Sequence, residues 1–490
     1  MFESFLTSDT MRLNHYMTQA ATARMTDQQF VLRQIDQFKA SQTRRVMIDG
    51  EKYFAGAHDI LRARRMIIGR DGELEEVKNL PNNRIVDNQY RKMVKQKVSY
   101  LLGKPFTCKV KNKVYGEALG EIFNRRFMRL MNLIGRDALN CGIGWLYINY
   151  NEAGEVMFSR LKPWEVIPLW KDADHTLLDA AIRIYEVVTY EGQQERVIEK
   201  VEVYDQGGIW YFTLDGSLKK DDIPYRPYFK VGEDAYNWSR IPLIPFKYNA
   251  EEIPLIKQVK SLQDGINRIL STFQNNMEEE PRNTILVLVN YDGQNLGEFR
   301  EKLAQYGAVK VRSDSTGTGG DVKTLQVEVN PDNYKVILKL FKDALIENAM
   351  GYNAKDDRLG GSPNQMNILS MYSDIDLDAD EMETEFQASL EQLLWFINAY
   401  FAQSGKGDFS GEEVEIVFNR DILMNEGDII NNCKNSVGIV SDETILANHP
   451  WVGDPAEELE RLKQQKEESA ETFGFPTDPK TGEGDPVDEE

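Results

Sequence analysis

Apolar residues recur at helical spacing on both sides of a short, strand-rich stretch in the second half of the chain. Between residues 254 and 279 they fall three or four positions apart, at Leu255, Val259, Leu262, Ile266, Ile269 and Phe273. This spacing keeps one apolar face for about seven turns and predicts an amphipathic helix. A second helix is predicted over 331–350, with an apolar stripe of Ile337, Leu340, Phe341, Ala344 and Leu345. Two helices that bracket a small insert are typical of a stalk, which is an architectural part.

The rest of the pattern predicts helices mixed with antiparallel strands, which places the chain in the α+β class. Alternating residues predict a hairpin over 145–150 and 156–160, and then strands near 180–190, 195–204 and 209–214. Helical spacing predicts helices within the first 45 residues, before Gly103, over 114–139 and over 364–401. Asp374 to Asp380 interrupts the last pattern and predicts a bend. The insert between the stalk helices is predicted as a strand over 284–289, a helix over 295–306, and strands over 309–311 and 322–329.

Composition limits the classes of function. The chain has 490 residues and a formal net charge of −21. This excess of acids disfavours tight binding of nucleic acid, but it suits a wall along which DNA must slide without being held. No apolar run reaches the roughly 18 residues of a membrane span, and the first residues lack a signal-peptide pattern. Cys108, Cys141 and Cys433 have no metal-like spacing, which favours reduced thiols and a cytoplasmic folding environment.

The usual sequence signatures of catalysis are absent: the chain has no phosphate-binding loop, zinc-protease motif, nucleophile elbow or CxxC pair. We therefore expect no enzyme activity, no catalytic residue, no cofactor and no metal. His58 and Asp59 could form a catalytic pair, but a solvated loop pair is the simpler interpretation. Gly317, Gly319 and Gly320 could cradle a phosphate, but no helix with a lysine follows them, which favours a hairpin tip.

Two clusters of charged residues offer further candidates. Asp374, Asp376, Asp378 and Asp380 could bind a divalent cation, but the glycine and glutamate of an EF-hand are missing, which favours a solvent-facing bend. Lys335, Lys339 and Lys342 stand at positions i, i+4 and i+7, on one face of the second stalk helix. They form either a solvated surface or a basic stripe that faces a polyanion when several copies surround one axis.

Seven longer stretches then match a known family in order, from about residue 50 to 465. They are YFAGAHDIL, NNRIVDNQYRKMVKQKVSYLLGKPF, ALNCGIGWLYINYNEAGEVMFSRLKPWEVIPLW, RIPLIPFKYN, LIKQVKSLQDGINRILSTFQNNMEEEPRNTILVLVNYDG, ENAMGYNAKDDRLGGSPNQMNILSMYSDIDLDADEMETEFQASLEQLLWFI and SDETILANHPWVGDPAEELERLKQQ. In these stretches the chain resembles the portal proteins of long-tailed bacteriophages that infect Gram-positive bacteria. The first 45 residues and the acidic tail are not covered by the resemblance.

The resemblance implies a portal fold with four named regions. The wing would be helical and β-rich, two stem helices would carry a small α/β clip, and a helical crown would lie near the C-terminus. The implied division is 1–45 N-terminal helical segment, 46–253 wing, 254–279 stem helix, 280–330 clip, 331–350 stem helix, 351–363 tunnel loop, 364–424 long wing helix and strand, 425–470 crown, and 471–490 acidic disordered tail.

The resemblance also implies a function. About twelve copies would form a ring around a DNA channel at one capsid vertex, used for genome packaging, head–tail joining and DNA ejection. Its partners would be further copies of itself, the ATP-hydrolysing terminase large subunit, a head-completion or adaptor protein, the capsid and scaffolding proteins, and double-stranded DNA that passes without sequence recognition. The protein would assemble in the host cytoplasm, reside in the virion and contact no membrane.

Two sets of residues would then face DNA. In the tunnel loop they are Tyr352, Asn353, Lys355, Asp356, Asp357 and Arg358; in the stem they are Lys335, Lys339 and Lys342. Another ring-forming head–tail connector or adaptor is the alternative function. A nuclease or transferase that uses Asp374–Asp380 is a weaker alternative.

Overall fold

The computed structural model describes residues 27–68, 73–77, 80–231, 233–279, 285–289, 321–325, 331–353, 365–420, 426–452 and 458–465. These residues form two compact units. One contains the described residues up to 352 together with 374–420, and the other contains 353–373 together with those after 425. No helix in the described ranges is both long and apolar enough to cross a membrane.

Ten helices with defined bounds lie in the described ranges. They are α1 (Asp27–Ala40), α2 (Gln42–Ala55), α3 (Gln89–Leu102), α4 (Lys113–Ile122), α5 (Arg125–Cys141), α6 (Leu255–Glu279), α7 (Pro331–Asn348), α8 (Gln365–Gln403), α9 (Glu426–Asn435) and α10 (Asp442–Ala447). The predicted stalk helices over 254–279 and 331–350 are thus confirmed as α6 and α7.

The strands are β1 (Met66–Ile68), β2 (Leu74–Glu76), β3 (Thr107–Lys109), β4 (Ile143–Tyr150), β5 (Val156–Leu161), β6 (Val166–Trp170), β7 (Leu178–Glu191), β8 (Gln194–Asp205), β9 (Gly208–Asp215), β10 (Ser217–Arg226), β11 (Phe229–Val231), β12 (Asp234–Tyr236), β13 (Leu243–Lys247), β14 (Ile285–Val289), β15 (Asp321–Leu325) and β16 (Glu415–Val417). Helices and antiparallel sheets occur together, which confirms the α+β class.

Two antiparallel sheets dominate the larger unit. A five-stranded sheet has the order β10-β9-β8-β7-β6, and a three-stranded sheet has the order β13-β4-β5. The predicted hairpin is β4–β5, with Trp145 opposite Leu161. Strand β13 was not predicted, because its residues are all buried and so show no alternation of apolar and polar positions. Helix α5 packs against β4, where Trp145 and Ile134 are fully buried.

The predicted single helix over 114–139 is wrong, because the chain forms two helices, α4 and α5. The break falls at Phe123 and Asn124. The Asn124 side chain accepts hydrogen bonds from the backbone N–H groups of Arg126 and Phe127 at 2.9 and 3.2 Å. This is an N-cap, which begins a new helix rather than continuing the old one.

The predicted bend at Asp374–Asp380 is also wrong, because α8 runs without a break from Gln365 to Gln403. In the insert, β14 and β15 pair antiparallel, with Val287 opposite Lys323. This confirms the strand predicted over 284–289 and part of the one predicted over 322–329. The predicted helix over 295–306, the strand over 309–311, the glycines at 317–320 and the acidic tail lie outside the described residues.

Candidate functional site

The stalk helices α6 and α7 pack through a small residue and aromatic rings. A Cβ atom added to Gly265 on α6 would lie 2.4 Å from a ring carbon of Phe341 on α7, so only glycine allows this approach. Further along, the rings of Phe273 and Tyr334 lie 4.9 Å apart between centroids. The Asn276 side chain donates a hydrogen bond to the Tyr334 hydroxyl at 3.0 Å. The two helices are thus held close together at both places.

The stripe of α6 that carries Gln263, Asn267, Ser271 and Asn275 forms a polar ladder, with one buried polar residue every four positions. An extended segment, residues 83–88, and the first turn of α3 run along it and donate backbone N–H groups to the side chains. The pairs are Asn83 with Asn275 (2.7 Å), Ile85 with Ser271 (2.9 Å), Asp87 with Asn267 (3.0 Å) and Tyr90 with Gln263 (2.9 Å).

The distance between successive polar side chains of α6 nearly equals the distance between the backbone N–H groups that they bind. Four residues of helix rise about 6.0 Å, and two residues of extended chain rise about 6.6 Å. The N–H groups of Asn83, Ile85 and Asp87, at every second residue, therefore meet successive side chains of α6, and the N–H of Tyr90, in the first turn of α3, meets the fourth. The ladder was not predicted from the sequence, although a polar residue at every fourth position of an amphipathic helix was the available signal.

His58 and Asp59 do not form the suggested catalytic pair. His58 is buried: its Nε2 donates to the Tyr53 carbonyl at 3.0 Å, and its Nδ1 accepts from the Asn267 amide at 2.8 Å. Burial lowers the pKa of His58 and keeps the ring neutral. Asp59 instead pairs with Lys260 at 2.5 Å. The solvated-pair interpretation is correct for Asp59 and wrong for His58. The buried His58 ring instead bonds Asn267, a member of the polar ladder.

The three stem lysines do not share one environment. Lys335 and Lys339 are exposed on α7, whereas the Lys342 ammonium lies 2.6 Å from a carboxylate oxygen of Asp87. Lys342 therefore ties α7 to the extended segment. The predicted buried stripe is wrong at Ile337 and Leu340, which are 43% and 62% exposed, and right at Leu345, which is fully buried.

The start of the predicted tunnel loop is held by α3. The Gln96 side chain donates to the Tyr352 carbonyl at 2.9 Å and accepts from the Tyr352 N–H at 3.3 Å. Lys97 donates to the Met350 carbonyl at 3.3 Å. Of the predicted loop residues, Tyr352 and Asn353 are described, and Lys355, Asp356, Asp357 and Arg358 lie outside the described residues.

Three of the four aspartates in the suggested cation cluster have basic partners. Arg420 pairs with Asp376 at 3.1 Å and also with Asp380, and Lys97 pairs with Asp378 at 2.6 Å. These partners explain why α8 stays helical through an acidic run. The prediction of a solvent-facing acidic bend is wrong for Asp378, which is buried. Within the described ranges, no group of three or more His, Cys, Asp or Glu residues could hold a metal ion.

Comparison with known proteins decides the family. The family of phage portal proteins described as SPP1 Gp6-like matches residues 39–472. The chain belongs to this family. The portal protein of Bacillus phage SPP1 is 29% identical over 447 residues, covering 90% of this chain and 87% of its own. The portal protein of Clostridium phage phiCD119 is 26% identical over 436 residues, covering 86% and 92%.

The resemblance drawn from the sequence is therefore confirmed, and both relatives come from phages of Gram-positive hosts. As a phage portal protein, the chain serves a DNA channel at the capsid, through which the genome is packaged and released. This is a structural role. The polar ladder and the hydrogen bonds between Gln96 and Tyr352 hold segments of the chain together that are far apart in sequence.

Proposed function

We propose that this portal protein assembles into a ring of about twelve subunits, in which α7 and the loop over 351–363 line part of the DNA channel. The observation that carries the proposal is the α6–α7 pair. It brackets the β14–β15 insert and leaves Lys335 and Lys339 exposed on α7. In this arrangement α6 and α7 are the stem, and residues 280–330 are the clip.

The remaining regions follow from the same arrangement. Residues 46–253 and 364–424 form the wing, and residues 425–470 form the crown. The terminase large subunit and later a head-completion or adaptor protein dock on the ring, which sits at the portal vertex among capsid and scaffolding proteins. Assembly takes place in the host cytoplasm before the protein enters the virion.

We propose that two of the three stem lysines, Lys335 and Lys339, face DNA. Lys342 is paired with Asp87, so its charge is neutralised locally. Lys335 and Lys339 are exposed and can attract phosphates at short range, since the Debye length is about 8 Å at physiological salt. An otherwise acidic chain, with a net charge of −21, does not hold DNA tightly.

Charge reversal on α7 tests the proposal. Replacing Lys335 and Lys339 by Glu changes the charge by 4 per subunit, or by about 48 in a ring of about twelve. Rings should still form, as seen by light scattering and electron microscopy, while DNA packaging or retention falls. The double variant Lys111→Glu/Lys113→Glu, at two exposed lysines, is the matched control because it changes the charge by the same amount. Unchanged DNA packaging and retention would show that both lysines are only solvated surface residues.

Loop deletion tests the second part of the channel. Removal of residues 352–360 should leave rings intact and impair packaging, because the loop would no longer reach the DNA backbone. Normal packaging would show that the loop has no such role. A chain that stays a monomer or dimer at every salt and protein concentration would overturn the ring itself.

A further inference from the structure

We propose that Gln96 and Lys97, successive residues of α3, form an anchor that fixes the backbone of Met350 and Tyr352, where the loop over 351–363 begins. This inference rests on the proposed function, because it gives that loop its place in the channel. The anchor acts through the backbone of Met350 and Tyr352 at the start of the loop and through Asp378 in the helix that follows it.

The Gln96 side chain forms hydrogen bonds with both the carbonyl and the N–H group of Tyr352. Its side-chain amide donates to the Tyr352 carbonyl at 2.9 Å, and its side-chain oxygen accepts from the Tyr352 N–H at 3.3 Å. A glutamine that bonds both backbone groups of one residue takes the place of a neighbouring strand. The backbone of Tyr352 can therefore not turn or shift along α3 without losing both bonds.

Lys97 links the two sides of the loop. Its side chain is only 2% exposed, and its ammonium lies 3.3 Å from the Met350 carbonyl and 2.6 Å from a carboxylate oxygen of Asp378. Asp378 also accepts a hydrogen bond from the Tyr248 hydroxyl. Met350 precedes the loop, and Asp378 lies about four turns into α8, which follows it. One buried charge thus contacts the chain before and after the loop.

The backbone between α7 and the loop is tightly constrained. Met350 has a φ of 47°, in the left-handed region that residues other than glycine adopt only where their surroundings require it. A Cβ atom added to Gly351 would lie 2.8 Å from the Met93 sulfur and 3.0 Å from the Gln96 side-chain oxygen. The chain therefore leaves α7 in one direction and passes directly over α3.

A buried ion pair can serve stability alone, and this alternative is testable. Replacing both members of such a pair by apolar residues of similar size is often neutral or stabilising, whereas removing one member leaves a buried charge and is strongly destabilising. The double variant Lys97→Met with Asp378→Asn removes both charges and keeps a side-chain oxygen that can accept from the Tyr248 hydroxyl, so it should fold and assemble. It would still remove the donor to Met350, which separates the positioning role from the structural one.

The experiment compares Gln96→Ala, the Lys97→Met/Asp378→Asn double variant and the control Lys95→Ala, an exposed position of α3. Hydrogen–deuterium exchange of a peptide over 349–353 and limited proteolysis within 353–364 are measured on assembled rings. Gln96→Ala should speed exchange of the Tyr352 amide about tenfold, as expected for the loss of about one hydrogen bond. Both anchor variants should also speed cleavage of the loop.

Exchange and cleavage equal to those of Lys95→Ala would overturn the anchor. If the double variant fails to assemble, Gln96→Ala decides alone, because it leaves no buried charge. The proposed function fails separately: if deletion of residues 352–360 leaves packaging normal while the anchor variants release the loop, the anchor stands and the channel role of the loop falls.

Discussion

Asn267 offers the sharpest test of how the polar ladder holds the chain together. This residue of α6 is fully buried, accepts from the Asp87 N–H at 3.0 Å and donates to His58 Nδ1 at 2.8 Å. Asn267→Leu keeps a similar volume but leaves the part-buried Asp87 N–H and the buried His58 Nδ1 without this partner, at about 1–3 kcal/mol each. The better helix propensity of leucine offsets about 0.5 kcal/mol. We expect a net loss of about 2–5 kcal/mol in the free energy of unfolding.

The assay is denaturant unfolding at one fixed protomer concentration, because assembly contributes to apparent stability. Hydrogen exchange of the Asp87 amide gives a local readout, which should speed up in Asn267→Leu. Arg268→Leu is the matched control, since Arg268 is the next residue of α6 and is exposed; it should change stability by less than about 0.5 kcal/mol. If the two variants unfold alike and the Asp87 amide stays protected, the ladder contributes nothing to stability and the reasoning fails.

Three other substitutions test packing and charge elsewhere in the larger unit. Gly265→Ala places a Cβ atom 2.4 Å from the Phe341 ring and should cost about 1–3 kcal/mol in thermal unfolding; an unchanged melting temperature would mean that the stem helices separate easily. In Gly142→Ala the added Cβ atom would lie 2.0 Å from a backbone carbonyl oxygen, at a residue whose φ is 85°, and the variant should not be expressed in soluble form. Gly154→Ala is its control, because Gly154 has a similar φ of 78° but open space around the added atom, and it should be expressed normally. Burial raises the pKa of Asp137 to about 7 from the usual 3.8, against the opposing charges of Arg160 and Arg136, so between these two pH values the folded chain holds a proton that the unfolded chain has released. This carboxyl group should therefore add about 1.4 kcal/mol to the free energy of unfolding when the pH falls by one unit between about pH 6 and 5. In denaturant titrations Asp137→Asn should lose this dependence on pH. An equal dependence in both proteins would contradict the raised pKa of Asp137.

Local patterns predicted the regular elements because their cause is local. The 3.5-residue spacing from Leu255 to Phe273 and the alternation around Trp145 each reflect which side of one element is buried. Errors arose where a local signal was overruled. The acidic run from Asp374 to Asp380 suggested a bend, but Arg420 and other basic partners from distant segments neutralise it and α8 continues.

The candidate site divides in the same way. The sequence placed three lysines on one helical face, and two of them, Lys335 and Lys339, are exposed. Lys342 could not be separated from them, because its partner Asp87 lies far away along the chain. The exposure of Ile337 and Leu340 could not be predicted either, because periodicity shows that an apolar face exists but not what covers it.

The sequence by itself determined the family, the α+β class and the two long helices around a small insert. Only the tertiary structure decided which polar residues are structural. Side chains on α3 and α6 bond backbone groups of segments that lie far from them in the chain, as Gln96 does with Tyr352 and Asn267 does with Asp87. A buried backbone group needs a partner wherever the fold places it, and spacing along one element carries no information about which distant segment will bring that group.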